Sequence, residues 1–193
     1  MSENVIKIGL LGNSSVGKTS LIRRFVEDKF DDNFMSTIGV DYMEKKLIIN
    51  NKKIKLVIQD TSGEERFRSV SKNYYKNVDG IIFVFDITNT ESFKEGIKYW
   101  LLECDTEIGE HKYKKILVGN KSDLEGMRQV NKETVQKYSE NKQMKFFETS
   151  AKDGSNVDMI FKELINLILK DLKEKPEYNK LGKNNNSNKK GCC

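Results

Sequence analysis

One eight-residue segment constrains the fold more than any other part of the sequence. It follows the apolar run 5–11 and reads Gly12-Asn13-Ser14-Ser15-Val16-Gly17-Lys18-Thr19. The segment fits the pattern G-x-x-x-x-G-K-S/T, which forms a phosphate-binding loop when a strand precedes it and a helix follows. Its glycines allow a tight turn that directs backbone N–H groups inward, and the following helix adds the positive end of its dipole. We predict that residues 12–19 and Ser20 hold phosphates, that Lys18 reaches the β- and γ-phosphates, and that Thr19 ligates Mg²⁺.

The apolar runs of the chain predict an α/β fold. Runs at 42–49 and 54–60, joined through Asn50-Asn51, predict an antiparallel hairpin, because asparagine tolerates positive φ. Short strands at 80–86, 115–120 and 145–148 then alternate with helical patterns at 67–76, 91–108 and 132–140 and with a last helix from 155. Buried strands alternating with amphipathic helices predict a mostly parallel sheet covered on both faces. Ligands of such sheets bind at the carboxyl ends of the strands.

Composition favours one domain of residues 1–175 with a disordered basic tail at 176–193. The chain has 193 residues, and its hydrophobic content of 37% suffices for one core. Six Lys and two Glu at 173–193 account for most of the net charge of +5. The nearly neutral remainder argues against a nucleic-acid-binding face.

The three cysteines are too few for a disulfide framework or a zinc site. Without a signal-peptide layout or an apolar stretch of about 18 residues, we expect a cytosolic chain unless something tethers it.

The segment Asp60-Thr61-Ser62-Gly63 ends the third predicted strand. A carboxylate at this position can hold a water of the Mg²⁺ shell, and a glycine lets a backbone N–H approach a γ-phosphate closely. The pattern D-x-x-G is weak by itself, since a strand end followed by a turn also fits it. Its distance from the phosphate loop makes Asp60 a predicted metal-site residue and Gly63 a predicted phosphate contact.

The segment Asn120-Lys121-Ser122-Asp123 closes the fifth predicted strand and indicates the base. An Asp carboxylate only accepts hydrogen bonds, so Asp123 matches the adjacent N1–H and N2–H₂ donors of guanine, a pair that adenine does not offer. Sites of this kind discriminate by roughly 10⁴ to 10⁵, because the wrong base leaves a buried polar group unpaired. We therefore expect GTP or GDP, contacted also by Asn120 and Lys121. Ser150-Ala151-Lys152, after the last strand, would add a backbone donor for guanine O6.

With four motifs in order on consecutive strand ends, the sequence resembles the small Ras-superfamily GTPases over residues 5–175, and more narrowly the Rab family. The narrower resemblance rests on Ile38-Gly39-Val40-Asp41-Tyr42, Glu65-Arg66-Phe67-Arg68-Ser69, Tyr74-Tyr75, Phe85-Asp86-Ile87-Thr88-Asn89 and Cys192-Cys193. It implies a single P-loop domain with a six-stranded, mostly parallel sheet, one antiparallel strand and five flanking helices.

The same resemblance implies a Mg²⁺-dependent switch that hydrolyses GTP. Thr37 would reach Mg²⁺ and the γ-phosphate, Gly63 would contact that phosphate, and Phe30 would pack against the guanine. Cys192 and Cys193 would carry two geranylgeranyl groups, which together give stable membrane attachment. The protein would be a monomer that cycles between the cytosol and the cytoplasmic face of an intracellular membrane in vesicle traffic. Its partners would be an exchange factor, a GTPase-activating protein, a GDP-dissociation inhibitor, an escort protein and effectors.

Several residues depart from the family pattern, most importantly Glu64. A Gln usually follows the D-x-x-G glycine and donates a hydrogen bond toward the transferring phosphoryl group. An ionised Glu cannot donate, so we expect altered and slow intrinsic hydrolysis, although a carboxylate could also act as a base toward water. Ser15 replaces the usual Gly, and Gln59 replaces the usual Trp of the effector-facing surface.

Two other functions remain open. One is a hydrolysis-deficient, GTP-bound membrane scaffold, which the Glu64 substitution would produce. The other is a P-loop phosphotransferase acting on a small acceptor, against which the Asn120–Asp123 segment argues.

Overall fold

The computed structural model describes residues 4–31, 40–61, 77–109 and 112–174. Six strands form one sheet in the order β2-β3-β1-β4-β5-β6. Every neighbouring pair is parallel except β2 and β3. The predicted six-stranded, mostly parallel sheet is confirmed. The strands are β1 Asn4–Leu11, β2 Val40–Ile49, β3 Lys52–Thr61, β4 Gly80–Asp86, β5 Lys114–Asn120 and β6 Lys145–Thr149.

The predicted hairpin is also confirmed, with β2 and β3 joined by the two residues Asn50 and Asn51. Their φ angles are 51° and 60°. Two successive residues at positive φ are what a tight two-residue hairpin turn requires, and asparagine tolerates that region better than most side chains. The turn therefore fixes the register in which Ile49 faces Lys52.

Helices flank the sheet where the sequence predicted them. They are α1 Lys18–Glu27, α2 over residues 92–109, α3 Lys132–Asn141 and α4 Val157–Glu174, with a short 3-10 helix at Ser122–Met127. The first and last turns of α2, Ser92–Ile97 and Asp105–Gly109, have wider π-type hydrogen bonding. The last helix begins at Val157 rather than near 155, because Asn156 has a left-handed φ of 59°. The predicted helix at 67–76 lies outside the described residues.

The core has two parts, one on each face of the sheet. On one face, α1 and α4 cover β1, β3, β4 and β5, and the rings of Phe25 and Phe161 stack at 3.9 Å between centroids. On the other face, α2 and α3 cover β4 and β5 around Trp100 and Phe85. All seven residues of β4 are buried, as expected for a strand covered on both sides. The carboxyl ends of the parallel strands are thus held rigidly along one edge.

Candidate functional site

The loop between β1 and α1 packs closely against two neighbouring strands. A Cβ on Gly12 would lie 2.1 Å from the carbonyl oxygen of Val84 on β4. A Cβ on Gly17, which has a φ of 95°, would lie 2.2 Å from Nδ2 of Asn120 on β5. Both distances exclude a side chain, so the two glycines are required by packing as well as by the turn. Ser15 also has a positive φ, 63°, and its side chain is exposed.

Lys18, the first residue of α1, folds back over this loop. Its Nζ donates to the carbonyl oxygens of Gly12 and Asn13, each at 2.9 Å. The side chain is buried, and burial lowers the pKa of Lys18 to about 8, while the charge of Asp60 acts in the opposite direction. Carbonyl oxygens stabilise an ammonium less than phosphate oxygens would, so this cation is poised to bind an anion at the loop.

A second pair of oxygens lies beside Lys18. Thr19 Oγ1 donates to Asp60 Oδ2 at 2.6 Å. The other carboxylate oxygen, Asp60 Oδ1, is buried and has no hydrogen-bond partner within the described ranges. Burial raises the pKa of Asp60, against the lowering effects of the Thr19 hydrogen bond and the Lys18 charge. A buried, unsatisfied carboxylate oxygen next to a hydroxyl is a donor set that suits Mg²⁺, so these residues fit the predicted metal site.

Asn120 connects three of the loops at this edge. Its Nδ2 donates to the carbonyl oxygen of Val16 at 2.9 Å. Its Oδ1 accepts from Thr149 Oγ1 at 3.2 Å and from the Ala151 N–H at 3.3 Å. The side chain is 1% exposed. Asn120 therefore ties the phosphate loop to the loop after β6, a structural role that the predicted base contact did not include.

Asp123 is fixed by a residue from the last predicted motif. Ser150 Oγ donates to Asp123 Oδ1 at 2.6 Å, and the same Ser150 oxygen accepts from the Asp153 N–H at 3.2 Å. Because a carboxylate has two oxygens, this hydrogen bond leaves further acceptor capacity on Asp123. The structure thus brings Asp123 and Ser150 together, although 27 residues separate them in sequence.

Asp86 is a residue of this edge that the sequence reasoning did not assign to the site. It ends β4, and its Oδ2 lies 2.6 Å from Nζ of Lys121, which has a left-handed φ of 68°. Asp86 Oδ1 accepts from the N–H and hydroxyl of Thr88 at 2.8 and 2.7 Å. Asp86 could have been assigned to the site from the sequence, because it lies at the carboxyl end of a predicted buried strand. Its segment was used only as evidence for the family resemblance.

Arg128 is a second residue that sequence reasoning missed. Its guanidinium bonds Glu125 beside the base segment through Nε–Oε1 at 2.8 Å, and Glu148 of β6 through Nη1–Oε1 at 2.8 Å. Neither partner belongs to a recognised motif, so no sequence pattern pointed to Arg128. The pair of contacts joins the loop that carries Asp123 to the strand that leads to Ser150.

The remaining predicted residues are distributed as follows. Ser14 and Lys152 are exposed, and Phe30 is half-buried against the core cluster between α1 and α4. Thr37, Gly63, Glu64, Cys192 and Cys193 lie outside the described residues, so their predicted roles remain untested.

The sequence matches known proteins over most of its length. The Ras family model matches residues 7–170. Rab-13 of Bos taurus is 43% identical over 86% of this chain and 81% of that protein. Rab-1A of Dictyostelium discoideum is 39% identical over 98% of this chain and 96% of that protein. Human Rab-30 is 43% identical over 83% of this chain and 78% of that protein. Within the described ranges, no helix combines the length and apolarity needed to cross a membrane.

Proposed function

The chain belongs to the Rab family of small GTPases, and on that premise we propose how its own residues hold and use the nucleotide. Members of the family bind guanine nucleotides and Mg²⁺, hydrolyse GTP and act as switches on intracellular membranes, together with regulators and effectors. The observation that carries the residue assignment is the convergence of Lys18, Asp60, Asn120 and Asp123 at one edge of the sheet.

The phosphates lie on the loop of residues 12–19 and on Ser20. Its backbone N–H groups and the amino end of α1 form a positive site, and Lys18 exchanges its two carbonyl partners for phosphate oxygens. Exchange favours the bound state, because a charge-assisted hydrogen bond to phosphate is stronger than one to a neutral carbonyl. Gly12 and Gly17 keep the loop close to β4 and β5, which gives the N–H groups a fixed direction.

The base lies between the Asn120–Asp123 segment and the loop of Ser150, Ala151 and Lys152. Asp123 accepts from guanine N1–H and N2–H₂, and the hydrogen bond from Ser150 holds its carboxylate in one orientation. The ion pair with Asp86 holds Lys121, which would contact the base. Phe30 packs on the guanine from the side of α1. The structural role of Asn120 is to keep the phosphate and base loops in register.

Thr19 and Thr37 would hold Mg²⁺, and Asp60 would hold a water of its shell. When bound, the ion would neutralise negative charge on the phosphates. The Thr19–Asp60 hydrogen bond holds the hydroxyl beside the unpaired Asp60 oxygen. Lys18 would neutralise phosphate charge, Thr37 and Gly63 would contact the γ-phosphate, and Glu64 would act on the attacking water. Loss of the γ-phosphate removes the partner of Thr37 and Gly63, which is the switch.

The base assignment is tested by calorimetry with GDP, ADP and xanthosine diphosphate in the presence of Mg²⁺. The unchanged protein should bind GDP at least 10⁴-fold more tightly than ADP. Asp123→Asn should weaken GDP binding and strengthen binding of the xanthosine nucleotide, because an amide N–H₂ can donate to the 2-oxo group of xanthine. ATP competing with GTP on equal terms would instead favour the phosphotransferase.

The Glu64 substitution is proposed to slow intrinsic hydrolysis. Single-turnover hydrolysis by Glu64→Gln should be faster than by the unchanged protein, because a glutamine donates toward the transferring phosphoryl group. Equal rates would exclude a role for this position. The nucleotide retained by freshly purified protein separates the two forms of the proposal. Mostly GDP supports a switch, and mostly GTP supports a membrane scaffold that hydrolyses negligibly.

Residues 1–175 form the nucleotide-binding domain in this proposal, and the tail 176–193 attaches it to a membrane through two geranylgeranyl groups on Cys192 and Cys193. The protein then cycles between the cytoplasmic face of an intracellular membrane and the cytosol with the help of an escort protein and a GDP-dissociation inhibitor. Mass spectrometry of protein from its own cells should find both thiols modified. Free thiols would contradict this part, as would unchanged membrane localisation after deletion of both cysteines.

A further inference from the structure

The β2–β3 hairpin carries a basic and apolar surface near its turn. The register places Lys46 opposite Lys55, Ile48 opposite Lys53, and Val5 of β1 beside Lys55. Met43, Leu47 and Ile49 pack against the core between α1 and α4, so the alternate positions 46 and 48 point to the other face. We call this set of five residues the hairpin patch: Val5, Lys46, Ile48, Lys53 and Lys55.

The hairpin patch is unfavourable for an isolated domain. Ile48 is 76% exposed and Val5 is 53% exposed. Lys46 and Lys55 are directly opposite each other, an arrangement of like charges that destabilises a strand pair. The charge of Lys55 is compensated by an ion pair with Glu44, whose Oε1 lies 2.9 Å from Lys55 Nζ. In the part of the chain that the structure describes, no carboxylate lies within ion-pair distance of Lys46 or Lys53. These features favour an external, negatively charged partner with an apolar layer.

The hairpin patch lies at the end of the sheet from which the tail leaves. The turn of the hairpin touches α4, with Asn50 Nδ2 donating to Asn166 Oδ1 at 3.1 Å. Further along α4, Asp171 forms an ion pair of 2.6 Å with Lys114, the first residue of β5. Both contacts lie at the amino ends of the parallel strands, opposite the nucleotide edge. Helix α4 therefore ends on the same side as the hairpin turn, and residues 175–193, which include five lysines, continue from there.

We propose that the hairpin patch lies directly against an anionic lipid surface and orients the domain, an inference that rests on the proposed membrane attachment of the tail. Lysines near a surface of anionic headgroups each contribute to binding, and exposed aliphatic side chains add by entering the interface. The tail and the hairpin patch are both positively charged. The tail continues from the end of α4, which lies on the same side of the domain as the hairpin patch. The nucleotide edge then faces away from the membrane, accessible to cytosolic regulators.

A lipid layer fits the hairpin patch better than an acidic protein does. The charges are spread over the outer face of a strand pair around a protruding isoleucine. A headgroup layer offers mobile anions above hydrocarbon, so it can satisfy separated lysines and Ile48 together. An acidic protein partner is the outcome to expect if lipid binding proves indifferent to these side chains.

The test measures binding of the full-length, unlipidated chain to vesicles of phosphatidylcholine with and without phosphatidylserine at low ionic strength. The double variant Lys46→Gln/Lys53→Gln should bind the anionic vesicles about 25-fold more weakly, at about fivefold for each lysine near the surface. The matched control is Lys94→Gln/Lys98→Gln, two exposed lysines on α2. These two lysines lie on the part of α2 near the phosphate loop and therefore far from the hairpin turn, since a Cβ added at the neighbouring Gly96 would meet Asn13 of that loop. The control should change binding less than twofold, and all proteins should keep the same GDP affinity.

Ile48→Ser is a second variant that leaves the charge unchanged. It should weaken binding to anionic vesicles severalfold, because the side chain no longer enters the interface. Equal loss in the hairpin and control double variants would overturn the proposal, since only net charge would then matter. Absence of binding by the unchanged chain would overturn it as well.

Failure of lipidation is recognised separately, by mass spectrometry of the tail. If Cys192 and Cys193 are unmodified in cells but the vesicle result holds, the lipid-facing patch stands and the proposed anchor fails. If both cysteines are lipidated and the vesicle result fails, the anchor stands and the orientation by the hairpin patch is wrong.

Discussion

At the scale of single residues, the side chain of Asn120 approaches Gly17 so closely that a Cβ on Gly17 would lie 2.2 Å from Asn120 Nδ2. Asn120 reaches the phosphate loop to bond the Val16 carbonyl oxygen, and the space it uses is the space that a Cβ on Gly17 would occupy. The glycine of one motif and the asparagine of another are therefore one packing unit. A side chain at 17 would disturb the phosphate and base sides of the nucleotide site together.

We predict that Gly17→Ala lowers both stability and nucleotide affinity. The alanine must adopt a φ of 95° and would collide with Asn120 at 2.2 Å, and strain of this kind costs about 1 to 3 kcal/mol. Chemical denaturation and GDP titration measure the two effects. Gly126→Ala is the control, because an added Cβ there meets nothing within 4 Å. Equal behaviour of the two variants would show that the approach of Asn120 does not constrain this loop.

The lowered pKa of Lys18 leads us to expect that nucleotide binding depends on pH. With carbonyl partners its pKa is about 8, and phosphate oxygens beside it would raise that pKa. Above pH 8, binding should therefore take up a proton, and GDP affinity should fall by up to tenfold per pH unit until the pKa of the bound form is reached. Below pH 8, Lys18 is protonated in both states and adds no dependence. Calorimetry in buffers of different ionisation enthalpy detects the proton, and its absence at pH 9 would refute the assignment.

At the scale of secondary-structure elements, the base loop depends on a link that lies outside the motifs. Arg128 joins Glu125 in the short helix Ser122–Met127 to Glu148 in β6. Asp123 and Ser150 lie on these same two segments and share their own hydrogen bond of 2.6 Å. Because Arg128 and Glu148 are mostly buried, removing the guanidinium would leave Glu148 paired only with the exposed Lys132 at 3.2 Å among the described residues. Loss of the link would loosen the two segments relative to each other.

We predict that Arg128→Gln weakens GDP binding about tenfold and weakens inosine diphosphate binding less. Hypoxanthine lacks the 2-amino group, so it depends less on the position of Asp123 than guanine does. Nucleotide dissociation rates for both ligands measure the difference. Lys162→Gln, which removes the exposed Lys162–Asp158 pair on α4, should leave both rates unchanged. Equal losses for the two nucleotides would indicate a general structural effect instead of positioning of Asp123.

At the scale of the whole molecule, the two-sided core encloses the thiol of Cys104. Cys104 on α2 is fully buried between the helix and the sheet. Burial raises the pKa of its thiol, and the nearby charges of Asp105 and Glu103 add to that effect. Because the thiolate is the reactive form, Cys104 should be inert while the domain stays folded.

We predict that a pulse of iodoacetamide at pH 8 modifies Cys192 and Cys193 of the unlipidated chain but leaves Cys104 intact. Denaturant should expose the third thiol in a single transition, and GDP should move that transition to higher denaturant concentration by mass action. Mass spectrometry of the peptides gives each modification directly. Rapid modification of Cys104 without denaturant would show that α2 opens locally.

The order of strands and helices could be predicted because each element depends on a pattern of residues within a short segment of the chain. The predicted strand 80–86 has the same bounds as the observed strand Gly80–Asp86. It could be recognised because a strand that is buried on both faces is a continuous apolar run. The hairpin followed from Asn50-Asn51, whose side chains tolerate the positive φ that the turn requires. The start of α4 was missed by two residues, because the left-handed conformation of Asn156 depends on its surroundings. Its Nδ2 donates to the Glu148 carbonyl oxygen at 2.8 Å.

By itself, then, the sequence determined the alternation of strands and helices and the placement of the phosphate and base motifs at strand ends, because periodicity and backbone preference act within a few residues. Only the tertiary structure decided that Asp86 holds Lys121, that Arg128 joins two loops, and that Asn120 reaches the loop before Gly17. These contacts depend on the register of parallel strands, which pairs Asp86 with Asn120 and Asn120 with Thr149. That register is set by packing on both faces of the sheet, between segments far apart in the chain.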